Sequence, residues 1–311
     1  MNLTQRQLRM FVATAGLMNI SRASQALHIS QPALSRALQE LEAQLGVKLL
    51  LRTTRHLSLT HDGERFLPVA QRLLRDLEQA TTDLREQATG LTGSITLAVG
   101  SAFGCAVLPA VISSFSVSHP GVQLRLVDDN SAGISSRVRN AQADLGIGSA
   151  IGDISGLTCT LLLTAPLGLL GDPARFALTA TGPSADISKL PLLREPADSS
   201  IMQALQSRGS AFVAQMSRGT EVSSLTLQLA LARAGVGVAV VSALGASHAD
   251  ATGMQFVVLE PTVEREVFIM TRRDRELSPS ARALAAAIDT GLAQAVLHPA
   301  VRLANQAALP F

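Results

Sequence analysis

The stretch from Ile20 to Gly46 constrains the fold of this chain more than any other, because its pattern is that of two short helices joined by a tight turn. Ser21 is the predicted N-cap of the first helix, and Ser30 is the predicted N-cap of the second. Pro32 falls in the first turn of the second helix, where a missing N–H costs little. Two short helices connected in this way form a helix-turn-helix.

The second helix of this pair has two chemically different faces. Its leucines recur at spacings of four, three and four residues and form one apolar stripe, Leu34, Leu38, Leu41 and Leu45. The other face offers side chains for base edges, since Gln can pair with adenine and Arg with guanine. The residues of this helix predicted to contact double-stranded DNA are Ser30, Gln31, Pro32, Ser35, Arg36 and Gln39. An amphipathic helix in an ordinary core is the alternative interpretation of the leucine stripe.

A basic turn follows the two helices. Short apolar and β-branched runs flank residues 52–56, which predicts a β-hairpin wing. Arg52 and Arg55 in this turn, with His56 beside them, are expected to face phosphate. Residues 1–58 hold seven Lys and Arg against two Asp and Glu, whereas the rest of the chain is slightly acidic. The positive charge therefore lies where DNA would bind.

Residues 60–90 form one long helical pattern with Thr60 as its predicted N-cap and Gly90 as its stop. Small and apolar side chains follow steps of three and four residues along it, namely Ala70, Leu73, Leu77, Ala80 and Leu84. A helix of this length extends about 42 Å. We predict a linker helix that pairs with a second copy, and the alternative is an amphipathic helix packed on its own chain.

Residues 91–311 alternate predicted strands and helices, a pattern typical of α/β proteins with a parallel sheet. One set of predicted strands covers 93–100, 122–129 and 143–150, and another covers 159–163, 167–170 and 235–241. The segment 265–273 is predicted to return the chain to the first set, and a helix over 279–297 closes it. Two crossings between the sets imply a hinge and a cleft between two subdomains.

The sequence lacks the motifs of common enzyme classes. It contains no Gly-x-Ser-x-Gly elbow and no Walker A run, and its Gly-x-Gly pairs at 146–148 and 235–237 lack the third glycine of a dinucleotide fingerprint. The six histidines are scattered without the spacing of metal ligands. We therefore expect no enzyme activity, no cofactor and no metal.

The two cysteines, Cys105 and Cys159, are predicted to be buried and unreactive because their neighbours are apolar. A redox switch is the alternative, in which a helix N-terminus near Cys105 would favour the thiolate. Few cysteines and no targeting segment indicate a reducing cytoplasm. The uncharged run between Asp153 and Asp172 is better explained by two short strands around Pro166 than by a membrane span.

The block from Ala23 to Glu64, which includes HISQPALSRALQELEAQLGVKLL, resembles the LysR-type transcriptional regulators in residue order. The resemblance implies an α/β protein with a winged helix-turn-helix, a long dimerising linker helix and a sensor of two subdomains similar to a periplasmic binding protein. The expected domains are a DNA-binding domain over 1–59, a linker helix over 60–90 and an effector-binding domain over 91–311. Within the last, subdomain one is expected at about 91–160 with 266–311, and subdomain two at about 161–265.

The effector is expected in the cleft of that last domain, because ligands of open α/β sheets bind beyond the carboxyl ends of the strands. The candidate residues at strand ends and helix starts are Ser101, Ala102, Phe103, Gly148, Ser149, Val222, Ser223 and Ser224. Helix N-termini favour anions, which predicts a carboxylate or sulfonate effector, with Arg194 as a counter-charge. The resemblance implies effector contacts at Ser101 and near Ser223, and Ser242 departs from its usual proline. Simple helix capping is the alternative role of these serines.

The predicted function is that of a sequence-specific transcriptional regulator of the bacterial cytoplasm and nucleoid, whose promoter activity responds to a small molecule. A dimer that carries two recognition helices predicts an inverted-repeat operator. The resemblance extends the assembly to a homotetramer and implies contact with RNA polymerase, and no membrane partner is expected. A periplasmic binding module and an α/β enzyme are the competing interpretations, and the sequence lacks the features that either requires.

Overall fold

The computed structural model describes residues 3–52, 57–89, 92–178, 187–208, 212–216 and 218–304. The chain divides into two compact units. The N-terminal unit contains residues 1–85, and the C-terminal unit contains nearly all of residues 86–311. Within the described ranges, no helix combines the length and apolar character that a bilayer span requires.

The N-terminal unit contains three short helices, a two-stranded hairpin and one long helix. These elements are α1 (Gln5–Leu17), α2 (Ile20–Ala26), α3 (Gln31–Leu45), β1 (Leu50–Arg52), β2 (Leu57–Leu59) and α4 (His61–Thr89). The helix starts are capped as their sequences favour: the Ser30 hydroxyl accepts the Ala33 N–H, and the Thr60 hydroxyl accepts the Gly63 N–H. The N-cap of α2 is Asn19 and not Ser21, so that prediction is wrong.

The predicted leucine stripe of α3 faces the core of the N-terminal unit. Leu34, Leu38 and Leu41 are at most 1% exposed, and they pack with Phe11 of α1. At the end of α3, Gly46 adopts a left-handed backbone with φ of 71°, which glycine reaches without steric cost and which ends the helix. Burial of the stripe leaves the polar face of α3 turned outward.

The C-terminal unit alternates strands and helices over most of its length. In chain order its elements are β3 (Gly93–Val99), α5 (Ser101–Ala106), α6 (Leu108–Ser118), β4 (Val122–Asp128), α7 (Ser131–Arg139), β5 (Leu145–Gly148), β6 (Leu157–Gly171), β7 (Leu192–Arg194), α8 (Ser200–Ser207), α9 (Phe212–Met216), β8 (Thr220–Glu221), α10 (Leu225–Arg233), β9 (Val238–Ser242), β10 (Gln255–Val258), β11 (Glu264–Arg272), α11 (Pro279–Gln294) and β12 (Arg302–Leu303). The strands pair in the order β4-β3-β5-β11-β6-β9-β7-β8, with β10 and β12 also on β6.

This order contains two parallel groups joined through two antiparallel strands. Strand β3 pairs in parallel with β4 and β5, and β7 pairs in parallel with β8 and β9. The first group belongs to subdomain one with α5, α6, α7 and α11, and the second belongs to subdomain two with α8, α9 and α10. Strands β6 and β11 connect the two subdomains, as the predicted two crossings require. The α/β class predicted from the sequence is confirmed.

Strand β6 corrects one prediction. The sequence indicated two short strands around Pro166, whereas β6 runs without interruption from Leu157 to Gly171. Its residues up to Pro166 pair with β11, and those from Leu167 pair with β9. The missing proline N–H thus falls where β6 changes partner, so it interrupts neither ladder.

Candidate functional site

The polar face of α3 is the first candidate site. Most residues at the start and on the polar face of α3 that were predicted to contact DNA are exposed, namely Ser30, Gln31, Pro32, Arg36 and Gln39. Ser35 is half-buried. Because the leucines occupy the inner face, the fold brings these side chains together on one outward surface.

The start of α3 is tied to α2 by one side-chain contact. The Gln31 amide donates a hydrogen bond of 2.9 Å to the Ser21 hydroxyl, so Ser21 links the two helices and does not cap α2. In the part of the chain that the structure describes, Arg36 and Gln39 make no side-chain hydrogen bond. Their donors are therefore available for base edges, whereas Gln31 would have to exchange Ser21 for a base.

The wing consists of β1 and β2, which pair antiparallel with Arg52 opposite Leu57. Arg55 and His56 lie outside the described residues, and so does the side chain of Arg52. The described strands fit the predicted hairpin, and the phosphate contacts at Arg52 and Arg55 stay predictions.

A buried carboxylate joins α3 to the wing. Glu42 is only 5% exposed, and its Oε1 accepts the backbone N–H of Leu49 at 2.9 Å and of Leu50 at 3.1 Å. Its Oε2 accepts a hydrogen bond of 2.7 Å from Lys48. Burial raises the pKa of the Glu42 carboxyl, but the bonds from Lys48 and the two N–H groups outweigh burial, so the pKa lies below its ordinary value. Glu42 therefore fixes where the wing begins relative to α3.

The long helix α4 presents an apolar strip to solvent. Leu73 and Leu77 are each 45% exposed, Val69 is 38% exposed, and Ala80 is also exposed. Exposed leucines four residues apart lie on one face of a helix, where a second helix can cover them. Val69 was missed at the sequence level because the heptad was counted from Ala70.

Two other positions of the predicted dimer seam differ from this strip. Ala70 is fully buried in the core of its own N-terminal unit, next to Leu74, so it is not available to a partner and its assignment to the seam is wrong. The side chain of Leu84 lies outside the described residues. Helix α4 therefore carries two stripes at neighbouring angles, one for its own core and one left exposed.

The second candidate site is a cavity of about 460 Å³ between the two subdomains of the C-terminal unit. Its walls come from the ends of β3 and β4, the starts of α7, α8 and α10, the turn after β9, and β11. Ligand pockets span about 300–1,000 Å³. The cavity has the volume and the two-sided construction of a site for a small molecule.

The cavity collects part of the predicted effector site. Ser101, Ala102, Ser223 and Ser224 line it. Ser224 is the N-cap of α10, and its hydroxyl accepts the Leu227 N–H, so the helix begins at Leu225 and Ser223 lies before its cap. The capping role that the sequence left open therefore applies to Ser224.

The other predicted effector residues do not line this cavity. Phe103 and Val222 are at most 5% exposed and pack in hydrophobic cores. Gly148 belongs to β5, where Ile134 of α7 packs against it. Ser149 lines an adjoining cavity of about 320 Å³, and its hydroxyl donates 2.7 Å to the Glu266 carbonyl.

Arg194 does not line the cavity. Its Nη1 donates 2.8 Å to the Glu221 carboxylate of the neighbouring strand, and this pairing occupies the charge that was predicted to face an effector. The arginine that lines the cavity is Arg265 of β11. Arg265 was missed because the segment REVFIMTRR gives no local sign that its first residue faces a cleft.

Arg265 lies where β11 passes from one subdomain to the other, opposite Ala165 of β6. Its Nε donates 3.0 Å to the Ser200 hydroxyl. Among the described residues, Nη1 and Nη2 have no hydrogen-bond partner. Burial lowers the pKa of Arg265 and raises that of Glu195, while the two opposite charges stabilise one another. The guanidinium thus keeps free donors at the cavity wall.

Carboxylates also line the cavity, and the sequence gave little sign of them. They are Asp128, Asp129, Glu195 and Asp198. The Ser101 hydroxyl donates to both oxygens of Asp128 at 3.0 and 2.9 Å, so in this arrangement it is not free to bind an anion. Helix α5 has only six residues, which leaves a small dipole at Ser101. Ser101 therefore differs from the anion-binding role expected of it.

The cysteines differ from their prediction in one respect. Cys105 is exposed and Cys159 is half-buried, so burial of Cys105 is wrong. Partial desolvation, together with Asp128 and Asp250, raises the pKa of the Cys105 thiol, which disfavours the thiolate. Desolvation likewise raises the pKa of Cys159. In the described ranges, no group of three or more His, Cys, Asp or Glu side chains is arranged to hold a metal ion.

Comparisons with known proteins cover both units. The LysR substrate binding domain matches residues 88–293, and the bacterial regulatory helix-turn-helix protein, lysR family, matches residues 5–64. The SDS degradation transcriptional activation protein of Pseudomonas sp. (strain ATCC 19151) is 30% identical over 293 residues, which is 90% of this chain and 93% of that protein. The uncharacterized HTH-type transcriptional regulator YfeR of Shigella flexneri is 26% identical over 285 residues, 91% of this chain and 92% of that protein.

Solved structures share the fold over nearly the whole chain. A full-length OxyR variant from Pseudomonas aeruginosa covers 99% of this chain and 100% of its own, with a TM-score of 0.68 and 21% identity. Full-length CbnR in complex with its target DNA covers 94% of this chain and 99% of its own, with a TM-score of 0.64 and 23% identity. This chain belongs to the LysR family and is a DNA-binding transcriptional regulator with an N-terminal helix-turn-helix and a C-terminal substrate-binding domain.

Proposed function

We propose that this regulator binds its operator through α3 and the wing, and that a small molecule with an anionic group, held in the cavity at Arg265, changes this binding. The observation that carries the proposal is that Arg265 lines a cavity of about 460 Å³ and that its Nη1 and Nη2 atoms have no hydrogen-bond partner among the described residues. Two such guanidinium nitrogens suit a carboxylate or sulfonate, because these groups can accept two parallel hydrogen bonds.

On the DNA side, the proposed base readers are Gln31, Ser35, Arg36 and Gln39, with Ser30 and Pro32 at the start of the same helix. Arg52 and Arg55 are proposed to contact phosphate from the wing. Exposure of Gln31, Arg36 and Gln39 on one face of α3 supports their role as base readers, because base contacts specify sequence while phosphate contacts orient the protein. Recognition by helix α3 also implies binding in the major groove.

The proposed assembly is a homodimer through α4, with Leu73, Leu77 and Ala80 in the seam and Leu84 as its continuation. A two-fold dimer places two recognition helices on one operator and predicts an inverted repeat. A homotetramer on a longer site, contact with RNA polymerase and a place in the bacterial cytoplasm complete the proposal. They rest on the family alone.

We propose that ligand and DNA binding are coupled through the angle between the two subdomains of the C-terminal unit. A molecule that contacts both subdomains favours the arrangement in which both walls reach it, and β6 and β11 are the strands that would bend. Arg265 lies on one of these strands. An anion at Arg265 would therefore bias the angle between the subdomains.

The test is operator binding by the full chain, measured on DNA from upstream of its own gene with a panel of carboxylates and sulfonates. We expect at least one compound to change the affinity or the footprint, and Arg265→Gln to lose that response while it still binds the operator. Arg218→Gln is the control, because Arg218 is exposed and does not line the cavity. An unchanged response in Arg265→Gln would contradict the anchor role of Arg265.

A further inference from the structure

The two walls of the cavity carry different charges. On the subdomain-two side, α8 and α10 both begin at the cavity, and Arg265 lies beside the start of α8. Helix N-termini and a guanidinium give this side hydrogen-bond donors and positive groups, alongside the carboxylates of Glu195 and Asp198. On the subdomain-one side, β4 ends at the cavity with Asp128, and Asp129 follows.

The two aspartates differ in how their charge is compensated. Asp129 forms an ion pair of 2.6 Å with Arg137 of α7. Asp128 accepts hydrogen bonds only from the Ser101 hydroxyl, and no basic side chain of the described ranges lies within ion-pairing distance of it. Asp128 therefore lines the cavity without a basic partner among the described residues.

The remaining carboxylates make a purely anionic ligand a poor match. Glu195 is close enough to Arg265 for their charges to interact, and Asp198 is an exposed carboxylate near the start of α8. A ligand with negative charge alone would meet Arg265 favourably, but it would also approach the carboxylates of Asp128 and Asp198, which would repel it. A positive group on the ligand would convert the contact with Asp128 from repulsive to attractive.

We propose that the molecule bound in this cleft is a zwitterion of the amino-acid class, with its carboxylate on Arg265 and its ammonium group on Asp128. This inference rests on the proposed function and specifies its ligand. The carboxylate would accept hydrogen bonds from Nη1 and Nη2 of Arg265, and the ammonium group would form an ion pair with Asp128. One molecule would then hold both subdomains through opposite charges.

The experiment uses the full chain and three matched sets of probes, measured by isothermal titration calorimetry. The first set is the L-α-amino acids, the second is the same molecules without the amino group, and the third is the same molecules without the carboxylate. We expect at least one amino acid to bind, and its two truncated analogues to bind at least about tenfold more weakly, since each lacks one charge pair.

Asp128→Asn keeps an oxygen acceptor for Ser101 and removes the charge. We expect this variant to bind the amino acid about tenfold more weakly or worse, and to bind the deaminated acid as well as the parent chain does or better. Glu276→Gln is the matched control, because it neutralises an exposed glutamate that does not line the cavity. It should leave all three affinities unchanged, and equal melting temperatures confirm that the variants are folded.

Three results would overturn the proposal of a zwitterionic ligand. The first is that deaminated acids bind as tightly as amino acids, and the second is that the preference for amino acids survives in Asp128→Asn; in both cases the proposed anion site at Arg265 would still stand. The third is that no amino acid binds. The proposed function fails separately, if operator binding ignores every compound that binds the cavity and Arg265→Gln changes nothing.

Discussion

Glu42 is the residue whose burial has the most direct consequence for stability. It satisfies two backbone N–H groups of the wing and pairs with Lys48. Glu42→Gln would remove the charge and leave one N–H or the lysine poorly paired. We expect a loss of about 1–3 kcal/mol in the free energy of unfolding of the N-terminal unit at neutral pH.

The pH dependence of that contribution has a definite sign. Because the folded-state pKa of Glu42 is lowered, its contribution is complete above the ordinary carboxyl pKa of about 4.3 and disappears as the pH falls through the lower folded-state value. Urea midpoints measured from pH 7 to pH 3 should therefore converge for wild type and Glu42→Gln. Glu40→Gln, at an exposed position of the same helix, should follow wild type throughout. Parallel curves for wild type and Glu42→Gln would show that its ionisation does not stabilise the fold.

Arg36 carries the sharpest prediction for DNA recognition. If its guanidinium pairs with guanine in the major groove, Arg36→Ala should cost about 1–3 kcal/mol on the operator and relax base preference at one position per half-site. Competition binding with single-base operator variants measures both effects. Arg65→Ala, an exposed position on α4, serves as the control. Equal weakening on all sequences would make Arg36 a phosphate contact.

Sequence patterns predicted which residues share the outer face of α3 better than which residues line the cavity, for a physical reason. Gln31, Arg36 and Gln39 are close in sequence on one helix, so helical periodicity alone brings them together. Arg265 and Asp128 are 137 positions apart and meet only through the sheet order. Arg194 was chosen because it follows a strand, but pairing with Glu221 is a tertiary contact that no local pattern predicts.

At the scale of elements, α4 carries two apolar stripes that lie on different surfaces. The steps of three and four residues indicate an apolar stripe, but that period does not say which side of the helix faces the chain's own core. Ala70 and Leu74 face inward, whereas Leu73 and Leu77 face solvent. A single sequence cannot distinguish these faces because both are apolar and adjacent.

The exposed strip gives a prediction about assembly. Leu77→Asp places a charge where a second helix should pack, and we expect it to produce monomers that lose operator binding while the C-terminal unit stays folded. Light scattering gives the mass and circular dichroism checks the fold. Leu77→Met keeps an apolar side chain and should remain dimeric. An unchanged mass for Leu77→Asp would remove α4 from the interface.

Strand β6 shows where element prediction reached its limit. The alternation of strands and helices was sufficient to predict two α/β subdomains and the returning strand β11. Pro166 was read as a break, because proline lacks the donor that a central strand needs. The strand continues since its hydrogen-bonding partner changes at that residue, and partner exchange depends on residues that are distant in sequence, near Val263 and Ser242.

At the scale of the whole molecule, charge is divided as the function requires. The seven basic side chains among residues 1–58 outnumber two acidic ones, while the rest of the chain is close to neutral. Non-specific attraction to DNA should therefore come from the N-terminal unit, with the C-terminal unit contributing little.

The most direct test of DNA-binding regulation by this chain is operator affinity as a function of salt. The full chain would be titrated with the fragment upstream of its own gene and with a scrambled fragment of equal length, between 50 and 200 mM salt. For a dimer with about 6–10 phosphate contacts, the account predicts a loss of about 10³–10⁵ in affinity over that range. It also predicts a preference of at least about 10³ for the operator. A flat salt profile, or equal affinity for both fragments, would contradict it.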